Sequence, residues 1–400
     1  MVEAYSPPAS FSAIRPWPNA RVIRSDAEAL AVAKELAAEF GHESAARDRA
    51  RRLPKDELDR YSASGLWALT VPREFGGPEV SIRTLAEVTA IISAADSSIG
   101  QIPQNHYYML AVIRTTGSRE QQKAIYADVL SGARLGNALS ELGTKTVGQY
   151  NTRIYQQGSH WVVEGKKYYS TGALFAHFIP TVTRDEGDQL RLALIEAGAP
   201  GLTIVDDWDS FGQRTTGSGT AILEQVTVSA ERVLPYDEAF AAPSPVGPIG
   251  QILHAAVDQG IARAAIADLR SFLLSQGAVN DPLLIAEYGR LVARLHGADA
   301  LLVEAGAAVD RLLQETNAER LAIASAAVAS AKIATTDISL EATNQLFELG
   351  GIESTFAERY FDRHWRNARA HTLHDPVRWK YQAIGNYYLN GVYPPRHGAL

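Results

Sequence analysis

The hydrophobic pattern of this 400-residue chain changes period twice, near residue 134 and again near residue 250. Apolar positions recur at helical spacing before the first change and after the second. Between them they come in short, strand-length runs broken by turn residues. Such segments bury their apolar sides only as packed layers, helix on helix and strand beside strand, so a helical, β, helical order is implied. Length agrees, because about 150 residues per domain gives two to three domains. The texture sets the boundaries at 1–133 for an N-terminal helical domain, 134–240 for a β-barrel-like domain and 241–400 for a C-terminal helical bundle.

Within the first part, Ser25 and Glu28 form a capping-box pattern ahead of an Ala-rich run reaching residue 52. Pro54 and Gly65 bracket a second helix. Ile82, Leu85, Val88, Ile91 and Ile92 share one helical face after Ser81, and Ser118 with Gln121 opens a helix that Gly132 closes. The runs 161–163, 178–183, 190–195, 202–205 and 221–228 predict an antiparallel β-domain. Residues 241–250, with three prolines and two glycines, read as a linker. Long Ala-rich helices over 252–274, 284–313 and 318–349 follow, with shorter ones from Ala357 and Pro376.

Composition removes several functions. Thirty-eight basic against 45 acidic residues leave a net charge of −7, which argues against nucleic acid as a partner. There is no cysteine, so disulfides, thiolate metal sites and cysteine nucleophiles are excluded. The first twenty residues hold four prolines and no apolar run, unlike a signal peptide. No uninterrupted apolar stretch nears the roughly 18 residues of a bilayer span, so a soluble cytoplasmic protein without membrane association is expected. No GxGxxG opens a helix after a strand, and no P-loop or GxSxG elbow is present.

The densest polar cluster runs from Asp362 to Asn367 and on through His371, His374 and Asp375. It holds three of the ten histidines within eleven residues. A metal site would need Asp375 or His364 as third ligand, and the spacing alone is too loose to assign one. His371 reads equally as a helix-end residue, whereas His374 beside a carboxylate is suited to moving protons near neutral pH. Two further clusters place small hydroxyl or amide groups at strand ends: Gly136-Asn137-Ala138-Leu139-Ser140-Glu141 and Tyr168-Tyr169-Ser170-Thr171-Gly172. Singly, these are more often turn residues.

Three motifs in this order resemble the acyl-CoA dehydrogenase superfamily: Val71-Pro72-Arg73-Glu74-Phe75-Gly76-Gly77, Ala138-Leu139-Ser140-Glu141, and Phe211-Gly212-Gln213-Arg214-Thr215-Thr216-Gly217-Ser218-Gly219. Asp206-Asp207-Trp208 and the run from Phe361 through His374-Asp375-Pro376 resemble its dibenzothiophene monooxygenase branch more closely. The resemblance implies an α+β fold with a central antiparallel β-domain and a C-terminal four-helix-type bundle. It also implies a two-component flavin-dependent monooxygenase. Such an enzyme would use reduced flavin and O₂, through a C4a-(hydro)peroxyflavin, to oxygenate a small substrate at sulfur, nitrogen or aromatic carbon. A dehydrogenase needs a carboxylate to abstract the proton α to a thioester. Here the corresponding stretch carries His374, with only the shorter Asp375 beside it. The alternative is an acyl-CoA dehydrogenase-type or nitroalkane-type flavin dehydrogenase or oxidase.

By the same resemblance His374, Asn137, Thr171 and His106 are candidate catalytic residues. Leu139, Ser140, Ser170, Thr171, Trp208, Gly350 and Gly351 would bind flavin. Asn105, Tyr107 and Tyr108 would face the substrate, with either Asn105 or His106 the relevant group in that run. Leu274 and Glu353 stand where FMN-using relatives carry phosphate-binding arginines. Gly350-Gly351 resembles the turn that dehydrogenases set against the FAD pyrophosphate, so FAD is slightly favoured over FMN. No metal is implied. The expected partners are a separate NAD(P)H-dependent flavin reductase, a small-molecule substrate and three further copies of the chain in a homotetramer.

Overall fold

The computed structural model describes residues 20–143 and 149–398. The proline-rich stretch read for a signal peptide lies outside them, apart from Ala20. Six helices lead: α1 (Asp26–Gly41), α2 (Ser44–Ala50), α3 (Lys55–Ser64), α4 (Ile82–Ala95), α5 (Ser97–Thr116) and α6 (Arg119–Leu130). Ser25 caps α1 by accepting from the Glu28 amide, but the Glu28 carboxylate takes the Arg24 amide instead of closing a full box. Ser118 and Gln121 do close one at α6.

Seven strands follow: β1 (Arg153–Gln157), β2 (His160–Lys167), β3 (Phe178–Arg184), β4 (Leu190–Glu196), β5 (Leu202–Val205), β6 (Thr220–Ser229) and β7 (Val233–Pro235). They form one sheet in the order β5-β6-β2-β1-β3-β4-β7. The sheet is mixed and not wholly antiparallel, because β1 meets β3 in parallel at Arg153 and Arg184. Parallel bridges also tie Leu135 to Phe178 and Ala138 to Thr181. This threads the segment 135–138 along the edge of β3 and places Asn137 at the sheet margin.

The chain then turns helical: α7 (Glu238–Ala241), α8 (Val246–Ser275), α9 (Pro282–Gln314), α10 (Ala318–Gly350), α11 (Asp362–Thr372) and α12 (Arg378–Asn390). The expected linker 241–250 is therefore half helix. Pro248 falls in the first turn of α8, where a missing N–H costs no helical bond. The helix α10 packs against both α8 and α9. It is the one described helix long and apolar enough to cross a bilayer, yet 67% of its most apolar stretch is buried in the bundle. By contrast α9 exposes Leu283 and Ile285, and α12 exposes Trp379, Tyr388 and Leu389.

Candidate active site

Loops at the strand ends of the β-domain meet α11 through Gln213 and Asn367. Beside them runs the strap 168–172, stitched on both sides. The Tyr168 amide donates to the Ser140 carbonyl at 2.9 Å, the Ser170 amide to Gly219 at 3.0 Å and the Gly172 amide to Thr216 at 3.1 Å. Tyr169 takes the left-handed conformation, with φ 57°, and its ring stays exposed. A bulky side chain adopts that conformation only under constraint, and these ladder bonds supply it.

Asn137 locks the neighbouring segment to the strap. Its Nδ2 donates to the Tyr169 carbonyl at 3.1 Å, and its Oδ1 accepts from the Leu139 amide at 3.0 Å. Beneath, the buried Lys167 ammonium donates to the Leu139 carbonyl and to Glu141, at 3.0 and 2.7 Å. Burial pulls the Lys167 pKa down to about 8, against the opposing pull of Glu141. Thr171 Oγ1 lies 2.7 Å from Ser218 Oγ, and Ser218 Oγ lies 2.7 Å from Thr216 Oγ1, so three hydroxyls form a row. Trp208 closes one side, its Nε1 donating to the Gln213 carbonyl at 2.9 Å and its indole edge-on to Tyr169. Ser170 is fully buried, and its Oγ has no hydrogen-bond partner among the described residues.

Gln213, which sequence reasoning did not single out, joins this margin to the helices. Its amide donates to Asn367 Oδ1 on α11 at 2.7 Å, and its Oε1 accepts from Ser97 and Ser98 at the start of α5. The preceding Gly212 lies so close to α11 that a Cβ there would stand 1.9 Å from the Arg366 carbonyl oxygen. Gly212→Ala is therefore expected to lift α11 from the loop. Overpacking of this kind costs about 3 kcal/mol, read as a lowered melting temperature together with lost activity.

His374 follows α11, on the bundle side. Its ring lies on that of His254 at 4.3 Å, tilted by 30°, while the residue stays open to solvent on its other side. On the face packed against His254 the ring is shielded from water, and this, followed by the nearby His371, holds its pKa below the ordinary histidine value. Asp375 is committed to the buried Lys380 at 2.6 Å. The three histidines of the motif do not converge: His364 points to Asp268 at 2.8 Å and His371 to Asp258 at 2.6 Å.

Other expected site residues stand elsewhere. His106 is fully buried, with Nε2 2.7 Å from the Trp67 carbonyl and Nδ1 accepting from the Leu135 amide at 3.1 Å. Both nitrogens are spent on backbone, so its catalytic assignment is corrected to a fastening one. The substrate-facing assignment of its neighbours is corrected likewise. Asn105 donates to Gly136 at 2.5 Å, Tyr107 to Leu66 at 2.5 Å, and the Tyr108 hydroxyl meets Tyr236 at 2.7 Å. All three are buried and tie α5 to its surroundings. Gly350 and Gly351 end α10, where a Cβ on Gly350 would meet Ser354 and Phe272 and none of the other candidates. Near there, Arg359 Nε donates to the Glu353 carbonyl at 3.0 Å, so a guanidinium accompanies the acidic residue that had spoken against a phosphate.

Comparison with known proteins places this geometry. The N-terminal, middle and C-terminal domain families of acyl-CoA dehydrogenase match residues 25–133, 137–226 and 252–379. SfnC of Pseudomonas putida, named a probable FMNH2-dependent monooxygenase, is 32% identical over 94% of this chain and 98% of its own. The chain belongs to the acyl-CoA dehydrogenase superfamily, in its flavin-dependent monooxygenase branch. Dibenzothiophene monooxygenase of Rhodococcus qingshengii is 32% identical over 92% of this chain and 95% of its own. The FMN-bound crystal structure of TdsC from Paenibacillus sp. A11-2 superposes with a TM-score of 0.87 at 32% identity, covering 93% of this chain and all of TdsC. SfnC by its name and TdsC in its crystal use FMN, and the preference for FAD drawn from Gly350-Gly351 finds no support in them.

Proposed function

We propose that this monooxygenase takes reduced FMN and O₂ and places one oxygen atom on a small aromatic or sulfur- or nitrogen-containing substrate. A separate NAD(P)H-dependent reductase supplies the flavin. The observation that carries the reading is the pairing of Asp375 with Lys380 beside an uncommitted His374 ring. A dehydrogenase working through this stretch would need a free carboxylate, and the one here is neutralised by a buried ammonium.

The margin fits a planar heteroaromatic ring. Ser170 offers a buried hydroxyl still able to bond, the 139–140 and 168–172 backbone offers polar edges, and Trp208 offers a flat side. When bound, the reduced flavin supplies two electrons and the C4a carbon at which O₂ is activated. Trp208 and Ser170 would hold the ring. Asn137 keeps the strap in register, and the row Thr171, Ser218 and Thr216 holds a proton within reach. His374, kept neutral by its surroundings, accepts or returns a proton at its ring nitrogen. The exposed apolar side chains of α9 and α12 support assembly with further copies of the chain, as a homotetramer.

The test supplies chemically reduced FMN and O₂ with dibenzothiophene or indole as probe, and follows product by mass spectrometry in ¹⁸O₂. One labelled oxygen in the product is expected. Bleaching of bound flavin by an acyl thioester or nitroalkane without O₂, and no labelled product, would overturn the reading in favour of a dehydrogenase or oxidase.

A further inference from the structure

Behind His374 the bundle encloses a row of ionisable side chains that no step above uses. Asp258, one turn beyond His254 on α8, is fully buried, and so are Lys332 on α10 and His371 on α11. Lys332 Nζ donates to Asp258 Oδ2 and, at 3.0 Å, to Thr336 Oγ1. Thr336 Oγ1 donates in turn to Asp258 Oδ2 at 2.9 Å. Asp258 Oδ1 lies 2.6 Å from His371 Nδ1, His371 Nε2 lies 3.2 Å from His254 Nδ1, and the His254 ring carries that of His374.

The direction of each bond follows from what the groups can do. An ammonium only donates and a carboxylate only accepts. Burial alone would raise the Asp258 pKa, but the Lys332 charge and His371 hold it below the ordinary carboxylate range. One ammonium thus balances one carboxylate, and burial followed by the neighbouring His374 and His371 keeps His254 neutral. With His371 as a neutral imidazole, its proton sits on Nδ1 and is donated to Asp258. Its Nε2 lone pair receives the Nδ1 proton of His254, which leaves His254 with a bare Nε2. Lys380 and Asp375 complete the charged groups around the His374 ring.

We propose that Asp258, His371 and His254 are positioning residues for His374: a buried relay, anchored by Lys332, that fixes the tautomer and tilt of the ring on which the catalytic imidazole stands. The proposal rests on the reading of His374 given above. A relay of this kind makes a firm demand of Asp258→Asn. While Lys332 stays an ammonium, which only donates, the amide oxygen faces Lys332 and the amide NH₂ faces His371 Nδ1. That nitrogen must then accept, its proton moves to Nε2, and His254 must accept at Nδ1 and carry its own proton on Nε2.

Nitrogen-15 spectra of histidine-labelled protein without flavin read this directly. The parent chain is expected to show His371 and His254 both protonated at Nδ1, and Asp258→Asn both protonated at Nε2. Product formation should fall at least about tenfold, in the range seen when residues supporting a working histidine are removed. His254→Phe keeps a stacked ring without touching the charged pair. There His371 should keep its Nδ1 proton while product formation falls by a similar factor. An unchanged ring pattern in Asp258→Asn overturns the relay. Undiminished product formation in either variant, with the expected ring patterns, overturns the positioning role. If His374→Ala itself leaves product formation intact while Asp258→Asn inverts both rings, the assignment of His374 has failed and the relay geometry stands.

Discussion

His374→Ala is expected to lower oxygenated product by about 10²–10³-fold, the usual range for loss of a group that moves a proton during reaction. Oxygen uptake from reduced FMN should continue, with hydrogen peroxide as its end point, because Ser170, Trp208 and the strap proposed to hold the flavin ring are untouched. Product by chromatography and peroxide by a coupled peroxidase assay separate the two. The depressed pKa of His374 keeps the imidazole neutral through neutral pH. Any dependence of the parent enzyme on its protonation therefore lies on the acid side of an ordinary histidine. A variant that forms product as well as the parent, with no rise in peroxide, would remove His374 from the chemistry.

Acid should unfold the protein through His106 with nearly as large an effect. Burial between two backbone partners lowers its pKa from 6.5 to about 3, whereas in the unfolded chain it returns to the ordinary value. The folded state holds the ring neutral, and the unfolded state binds a proton first as pH falls. The stabilisation is thus complete above pH 6.5 and is lost progressively down to about pH 3, amounting to roughly 5 kcal/mol across that window. Urea unfolding at pH 7 and pH 5 should show a drop of roughly 2 kcal/mol from this residue. His106→Gln should be less stable at pH 7 by about 1–3 kcal/mol, because the buried backbone groups of Trp67 and Leu135 lose an ideal partner. Its own stability should change less with pH. An equal gap between parent and variant at both pH values would refute the account.

The order of layers was legible because each segment has to hide an apolar side, and hiding it imposes a period that a reader can count. The helix α5 escaped that count. Its stretch from Gly100 to Tyr108 mixes glycine, proline, glutamine, asparagine and histidine, and nearly all of it is buried. Polar side chains inside a protein declare themselves only through partners, and Asn105 and His106 find theirs at Gly136, Trp67 and Leu135, 29 to 39 residues away. Strand β1 was missed for the opposite reason, since Arg153, Gln156 and Gln157 are exposed and leave only Ile154 fully inside.

The candidate site divides in the same way. Asn137, Ser170, Thr171, Trp208 and His374 were visible as motifs, because the turns and strand ends that carry them have distinctive residues. The row behind His374 was not. His254 and Asp258 sit in an Ala-rich helix whose text reads as plain core, and the partners that give them meaning are 74 to 117 residues distant. The FAD preference failed because a Gly-Gly pair speaks only of backbone freedom, and here it ends a helix.

The exposed apolar side chains Leu283 and Ile285 on α9, and Trp379, Tyr388 and Leu389 on α12, carry a kinetic consequence. Where copies of a polypeptide seal one another, the working species is born by collision, and its share of the whole shrinks as the solution thins. Turnover per subunit would then climb with enzyme concentration before levelling off, and a rate taken at a single high dilution would understate what the enzyme does when concentrated.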